Sequence, residues 1–165
     1  MTKKAQASAE AQPEAQEIQF MIQRIYVKDI SFEAPNTPQV FQQEWKPELA
    51  LDLNTKHVEL EKGIYEVILT VTATVKNQGT VAFIAEVSQA GIFTIQGEAE
   101  TKIDYLVNCF CPNILFPYAR EAITQEVIRG SFPQLVLSPI NFEALYAQQM
   151  QQKQQADAKE EAVQH

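Results

Sequence analysis

Strict alternation of apolar and polar side chains marks the clearest strand of the chain, over residues 65–75. Its odd-numbered positions are all apolar, and its even-numbered positions are mostly threonine. Successive side chains of a strand point to opposite faces of the sheet, so this period of two predicts a strand with one apolar face. Turn residues flank it, with Gly63 before and Asn77-Gln78-Gly79 after.

Three further segments have β character. Residues 49–53 alternate leucine with smaller or polar residues, which again predicts one apolar face. Residues 20–32 carry apolar side chains at both parities, so both faces of that strand should be partly covered. Residues 81–95 resume the β pattern with an interruption expected near Gly91. Short turns and one long proline-rich loop join the four strands, which predicts an antiparallel sheet.

The last third of the chain changes to helical spacing. Residues 98–110 predict a short helix, and residues 112–129 predict a second one that begins at a proline. After an extended stretch, Asn141 is expected to cap a last helix over residues 142–155. Strands followed by helices define an α+β fold: a four-stranded antiparallel sheet with the C-terminal helices on one side.

Composition divides the 165 residues into one domain and two tails. Residues 1–17 are rich in alanine, glutamine and glutamate, which predicts a disordered N-terminal tail. Residues 151–165 are similarly polar and predict a flexible C-terminal tail. Residues 18–150 then form a single domain of ordinary size.

The net charge of −8 argues against nucleic acid as a partner, because phosphate backbones would repel the chain. An acidic surface suits solubility or a basic partner protein. Apolar runs are far shorter than the roughly 18 residues that span a bilayer, and the N-terminal lysines precede no apolar export segment. The expectation is a cytoplasmic protein without direct membrane insertion.

The motifs of common catalytic sites are missing from the sequence. The five glycines form no phosphate-binding loop, and the two histidines lie in polar stretches without a partner nucleophile. Cys109 and Cys111 are one residue apart, too few ligands for a metal site and no disulfide framework. We therefore expect a protein that is not an enzyme, with no cofactor, no metal and two reduced thiols.

Aromatic and apolar residues in irregular segments point instead to binding. Trp45 lies in the proline-rich loop, and the last helix carries further large apolar side chains. For each one taken singly, the favoured interpretation is burial in the domain's own core or in an oligomer interface. Together with the alternating leucines of residues 49–53, they suggest a strand edge or groove that accepts an extended foreign chain.

Four blocks of the sequence closely resemble the SecB family of protein-export chaperones. The blocks are IQRIYVKDISFEAPN (Ile22–Asn36), AFIAEVSQAGIF (Ala82–Phe93), CPNILFPYARE (Cys111–Glu121) and RGSFPQLVLSPINFEALY (Arg129–Tyr146). The resemblance implies a cytosolic homotetramer, assembled as a dimer of dimers. It also implies an ATP-independent chaperone that binds unfolded precursor polypeptides, keeps them translocation-competent and delivers them to the SecA motor for export across the inner membrane.

The resemblance also implies two surfaces. The positions that match the family's SecA contact are Asp29, Glu33, Ile84 and Glu86. The positions assigned to client binding are Trp45, Leu49, Leu51, Leu53, Phe142, Leu145, Tyr146 and Met150. No individual residue of the C-terminal tail is assigned a role.

Three alternatives stay open from the sequence. The first is a general cytosolic chaperone that is not coupled to SecA. The second is a small-ligand-binding or enzymatic domain on a similar sheet, which would need a closed apolar pocket. The third is a purely structural oligomer, which would not suppress the aggregation of an unfolded protein.

Overall fold

The computed structural model describes the backbone of residues 19–163 and the side chains of residues 19–159. The predicted N-terminal tail, residues 1–17, lies outside the described residues. The strands are β1 (Gln19–Glu33), β2 (Pro47–Glu61), β3 (Ile64–Asn77) and β4 (Thr80–Gln96), and the helices are α1 (Glu100–Tyr105), α2 (Cys111–Arg129) and α3 (Phe142–Val163). The predicted order of strands followed by helices is confirmed.

The four strands form one antiparallel sheet in the order β1-β4-β3-β2. This arrangement confirms the predicted sheet and places β1 and β2 at its two edges. The interruption expected near Gly91 is wrong, because β4 passes through it without a break. Gly91 pairs with Ile25 on one side and Val67 on the other, and Phe93 and Leu115 lie where a side chain would extend. The absence of a side chain at Gly91 therefore allows Phe93 and Leu115 to pack closely against the strand.

The strand parity predicted for β3 is confirmed. Val67, Leu69, Val71, Ala73 and Val75 are all buried, whereas the alternate threonines are partly exposed. Helix α2 packs on β3 and β4 from the buried side. We call this side the inner face of the sheet and the opposite side the outer face.

The helical region begins as one continuous rod instead of the two separate helices expected. A π-helical turn, Leu106–Phe110, joins α1 directly to α2. Pro112, near the start of α2, cannot donate a backbone hydrogen bond, and its ring would clash with a carbonyl one α-helical turn earlier. The wider π turn lies where that clash would occur, which explains how the rod continues past the proline.

Helix α3 begins as expected, because the Asn141 side chain accepts a hydrogen bond from the Ala144 backbone N–H at 3.0 Å. The helix then continues to Val163, beyond the predicted end at residue 155. The boundary proposed between domain and tail at residue 150 therefore falls inside a helix. The flexibility of residues 151–165 stays a prediction.

An aromatic cluster closes one end of the inner face. Phe132, just after α2, lies with its ring centre 4.9 Å from that of Phe83 and 5.9 Å from that of Trp45. Phe41 and Phe32 complete the group around it. The proline-rich loop between β1 and β2 is thus fixed to the sheet by aromatic packing, which holds Trp45 in place.

A hydrogen-bonded ion pair joins two strands on the outer face. Glu66 on β3 is 9% exposed and accepts hydrogen bonds from the Lys28 ammonium, at 2.8 Å, and from the Tyr26 hydroxyl. The bond from Lys28, followed by that from Tyr26, lowers the pKa of Glu66 below its ordinary value of 4.5. Burial and the bond to Glu66 raise the pKa of Tyr26 to about 12. Both Lys28 and Tyr26 belong to β1, so the cluster fastens this edge strand across β4 to β3.

We predict that the Lys28→Met substitution lowers the free energy of unfolding at pH 7 by about 1 kcal/mol, a modest value because Lys28 is half exposed. The folded pKa of Glu66 lies below its unfolded value, so the ion pair contributes fully above pH 4.5 and less as the pH falls through the folded pKa. Denaturant unfolding at pH 7 and pH 3 should show the wild-type and variant curves converging in acid. Lys153→Met, on exposed α3, is the matched control. A difference that persists unchanged at pH 3 would contradict the prediction.

Candidate functional site

The inner-face leucines of β2 are incompletely covered, although those of β3 are fully buried. Leu49 is 46% exposed, and Leu51 and Leu53 are only partly buried. Their cross-strand partners on β3, Val75, Ala73 and Val71, are buried. Because β2 is the edge strand, one side of its backbone has no strand partner in the sheet. A row of leucines therefore runs beside an open strand edge.

Two clefts follow this row, and we call them together the β2 groove. The larger, of about 320 Å³, lies between β2 and α3 and includes Asn108 and Gln149 in its wall. The smaller, of about 120 Å³, lies between β2 and the segment that follows α2, with Pro133 and Leu135 in its wall. The groove is apolar on its floor and mixed in its walls.

The structure brings most of the predicted client-binding residues to this groove. Those that line the larger cleft are Leu51, Leu53, Phe142, Leu145 and Tyr146, and those that line the smaller are Trp45 and Leu49. Met150 lines neither cleft and is 36% exposed further along α3. Phe142 is only 5% exposed and packs edge-on against Phe116 of α2, so its ring anchors α3 to the core as well as closing the groove.

Sequence reasoning missed the wall contributed by residues 133–135. Pro133, Gln134 and Leu135 belong to an extended segment that follows α2 without joining the sheet. The Leu135 carbonyl accepts a hydrogen bond from the Thr124 hydroxyl of α2 at 2.7 Å, which holds the segment beside the helix. The apolar residues of this stretch, Phe132 and residues 135–137, were the available signal, but their partner surface was not visible in the sequence.

A hydrogen-bond network attaches α3 to α1 at the other end of the groove. The Tyr146 hydroxyl donates to Asp104 Oδ2 at 2.7 Å, and the Asn108 amide donates to Asp104 Oδ1 at 3.0 Å. The rings of Tyr105 and Tyr146 meet edge to face at 5.6 Å, while the Tyr105 hydroxyl donates to Glu143 at 3.1 Å. The bond to Asp104 raises the pKa of Tyr146, and the bond to Glu143 is the leading cause that raises the pKa of Tyr105 to about 12. Tyr146 therefore positions the helix that walls the groove.

The four residues assigned to the SecA contact lie together on the outer face. Ile84 pairs with Glu33, Glu86 pairs with Ser31 in the next outer-face row, and Asp29 pairs with Ser88 in the row after that. Asp29 and Glu33 are exposed. The Thr72 hydroxyl of β3 donates to Glu86 Oε2 at 2.7 Å and orients that carboxylate. We call Asp29, Glu33 and Glu86, with Ile84 among them, the acidic patch.

A further cleft, of about 650 Å³, lies away from both surfaces. It opens between the β2–β3 turn and the start of α1. Charged Glu59 and Lys62 line it together with apolar Ile95 and Ile103. Its mixed lining is not the closed apolar pocket that a small-ligand-binding domain was expected to show.

The two cysteines are free and buried in the helical rod. Burial raises the pKa of Cys111 to about 12 and also raises the pKa of Cys109. The thiolate is the reactive form, so both side chains are poorly suited to redox chemistry. Among the side chains described, those of residues 19–159, the structure holds no group of three or more suited to binding a metal ion. None of the helices described there combines the length and apolarity needed to cross a membrane.

Comparison with known proteins identifies the class to which this fold and these surfaces belong. The family model described as preprotein translocase subunit SecB matches residues 13–153. Protein-export protein SecB of Legionella pneumophila subsp. pneumophila is 69% identical over 150 residues, which cover 90% of this chain and 93% of that protein. SecB of Ectopseudomonas mendocina is 58% identical over 94% of this chain and 96% of its own. The chain therefore belongs to the SecB family of protein-export chaperones.

Family membership confirms the resemblance seen in the four sequence blocks and the prediction that the chain is not an enzyme. Among solved structures, the chain is similar to a Mycobacterium tuberculosis SecB-like chaperone in complex with a ChAD peptide from an antitoxin. The TM-score is 0.63, and the alignment covers 73% of this chain and 90% of that one. The sequence identity is 17%, so this likeness extends to the fold alone.

We predict that Tyr146→Phe loosens α3 without unfolding the sheet, because it removes a hydrogen bond to a charged carboxylate and keeps the ring. Such a bond contributes roughly 1.5–3 kcal/mol. We expect its loss to lower the free energy of local opening of α3 by part of that amount. Amide hydrogen exchange in residues 142–150 should therefore accelerate severalfold, while that of β3 stays unchanged. Tyr118→Phe is the control, since Tyr118 is half exposed and its hydroxyl bonds no group in the described part of the chain. Equal exchange in α3 for both variants would contradict the positioning role.

Proposed function

We propose that this protein binds unfolded precursor polypeptides in the β2 groove, keeps them translocation-competent without using ATP, and delivers them to the SecA motor for export. The observation that carries the proposal is the row of Leu49, Leu51 and Leu53 beside the open edge of β2. Membership of the SecB family supports the chaperone role. The working compartment that fits this role is the cytoplasm.

The groove suits an extended chain of any sequence with enough apolar side chains. An added strand would form backbone hydrogen bonds with the open edge of β2, and these bonds do not depend on sequence. Its alternate side chains would face the leucine row, whose members are spaced roughly 6.8 Å apart along the strand. Folded proteins keep their backbone groups and apolar side chains occupied, so the groove selects chains that have not yet folded.

Affinity in this proposal comes from several weak contacts in one assembly. Each groove is short, but a homotetramer offers several of them to a single long client, which raises the effective concentration of each further contact. Met150, exposed further along α3, has a flexible thioether that adapts to many client side chains. The affinity for a client therefore depends on the number of grooves it contacts rather than on a tight fit in any one of them.

The other edge strand supports the proposed assembly as a dimer of dimers. β1 is open on one side and exposes Val27 (48%) and Ile30 (41%), together with Met21 and Ile22. Exposed apolar side chains on an unpaired strand favour pairing with another strand, and in a homo-oligomer that strand comes from a second copy. Pairing β1 with β1 would leave both β2 grooves free, so the assembly and client surfaces do not compete.

The acidic patch is the proposed contact for SecA. Glu33 and Glu86 place carboxylates next to the apolar side chain of Ile84 on the outer face, and Asp29 lies two rows further along the strand. A negative surface that includes an apolar side chain fits a partner surface that carries basic side chains beside an apolar one. The long-range attraction accelerates association and makes the affinity salt-sensitive.

We predict that Leu49→Ala combined with Leu51→Ala weakens binding of an unfolded precursor about 30- to 150-fold, because two partly exposed leucines lose roughly 1–1.5 kcal/mol each on the bound client. Fluorescence anisotropy of a labelled, urea-diluted precursor measures the affinity. Light scattering of the same precursor measures the suppression of aggregation.

Val58→Ala is the control for this pair, because Val58 is exposed on the outer face of the same strand. Native mass spectrometry should show tetramers for wild type, variant and control alike. Client affinity that stays at the wild-type level in the double variant would contradict the groove assignment. A wild type that fails to suppress aggregation would instead favour a purely structural oligomer.

We predict that Glu86→Lys lowers the affinity for SecA at least 10-fold, because it places a positive charge at the centre of the acidic patch and removes the acceptor of the Thr72 hydroxyl. Surface plasmon resonance with immobilised SecA measures the affinity at low and high salt, and client binding should be retained. Wild-type protein that binds clients but not SecA would favour the alternative, a general cytosolic chaperone uncoupled from export.

A further inference from the structure

The outer-face row that contains Glu86 continues across the sheet to a fourth acidic residue. Ser31 on β1 pairs with Glu86 on β4, Glu86 pairs with Thr72 on β3, and Thr72 pairs with Asp52 on β2. Residues paired in register point to the same face, so Asp52 shares the outer face with Glu86. Thr72 stands between them and donates its hydroxyl proton to Glu86, not to Asp52. The Asp52 carboxylate is exposed.

Asp52 is close enough to Glu86 for the two negative charges to attract the same partner surface. Two strand spacings separate them, roughly 10 Å between backbones, which is about one Debye length at 0.1 M salt. Two outer-face lysines lie further away: Lys56 is four residues along β2 from Asp52, and Lys76 is four residues along β3 from Thr72. That offset is roughly 13 Å. Within the described part of the chain, Asp52 forms no salt bridge. Its charge is therefore available to a partner.

The same residue also borders the β2 groove. Asp52 lies between Leu51 and Leu53 and is one of the residues that line the 320 Å³ cleft beneath α3. The leucines face inward and the carboxylate faces outward, but all three belong to the open edge strand. A client that pairs with this edge would lie within a few ångströms of any partner that touches Asp52.

We propose that the SecA contact extends from the acidic patch across the sheet to Asp52, so that SecA docking crowds the client on the β2 edge and weakens its binding. This inference rests on the proposed function and adds to it the route by which the two surfaces are coupled. Coupling of binding free energies is reciprocal, so a client on the edge weakens SecA binding by the same factor. The carboxylate row thus gives the handover of a client a structural basis.

The test compares three variants that each remove one negative charge without adding bulk. Asp52→Asn removes the proposed contact, Glu86→Gln removes a residue of the acidic patch, and Glu61→Gln is the control at the far end of β2. Thermal unfolding checks that each variant is folded. Isothermal titration calorimetry with SecA at 50 mM and 300 mM salt then gives the affinity of each.

We expect Asp52→Asn to reduce SecA affinity roughly two- to fivefold at 50 mM salt, the scale of one exposed ion pair, and less at 300 mM. Glu61→Gln should match wild type. If Asp52→Asn behaves like Glu61→Gln while Glu86→Gln loses affinity, the extension to Asp52 is wrong and the proposed function stands. If neither Asp52→Asn nor Glu86→Gln changes SecA binding, the proposed SecA contact itself is wrong.

A second measurement tests the coupling. A short fluorescent apolar peptide, chosen because SecA alone does not change its anisotropy, is titrated with the chaperone in the absence and presence of saturating SecA. We expect SecA to lower the peptide affinity of the wild type and to lower that of Asp52→Asn by a smaller factor. Peptide affinity that is unaffected by SecA in the wild type, or equally reduced in both proteins, would overturn the coupling.

Discussion

The mismatch in width between one helix and a four-stranded sheet determines most of this structure. A helix with its side chains is about 10 Å wide, whereas strands lie about 4.8 Å apart, so one helix covers roughly two strands. Helix α2 lies on β3 and β4 and buries their inner faces. On the β1 side, Phe20 packs against Phe93, and Phe32 packs against Phe83 and Phe132, so these rings cover the inner face of β1. The leucines of β2 are left partly uncovered, and the groove exists because α3 borders β2 without packing on it as closely as α2 packs on β3 and β4.

The two faces of the sheet differ in the polarity of their side chains as well as in their packing. Alternation along each strand sends aliphatic side chains inward and threonine, serine and charged side chains outward. On the outer face, the paired hydroxyls of Thr70 and Ser88 lie 3.0 Å apart, in the same row as Asp29 at one end of the acidic patch. Further along the same face, the charge of Glu66 is already paired with that of Lys28. The distribution of charge on this face therefore depends on which residue occupies each outward-facing strand position.

The sequence allowed the sheet to be predicted because a period of two is a local property, visible within β3 alone. It did not allow the strand order to be derived, since the choice of β1 and β2 as edges depends on pairings across the whole domain. The helix break expected before Pro112 was wrong because a single π turn, invisible as a pattern, absorbs the proline. The leucines of the groove were assigned from alternation and family resemblance. The wall at residues 133–135 was missed because an extended segment has no periodicity that names its partner.

The extended segment between α2 and α3 has a consequence of its own. Phe132 and Leu137 are buried, Val136 is exposed, and the Leu135 carbonyl bonds to a side chain of α2, while the segment pairs with no strand. The domain thus carries an extended piece of its own chain that is held by a few inserted side chains and by hydrogen bonds to α2, among them the bond from Thr124 to the Leu135 carbonyl. In this way the domain holds an extended piece of its own chain, which is the same physical task as binding a client that has no fold.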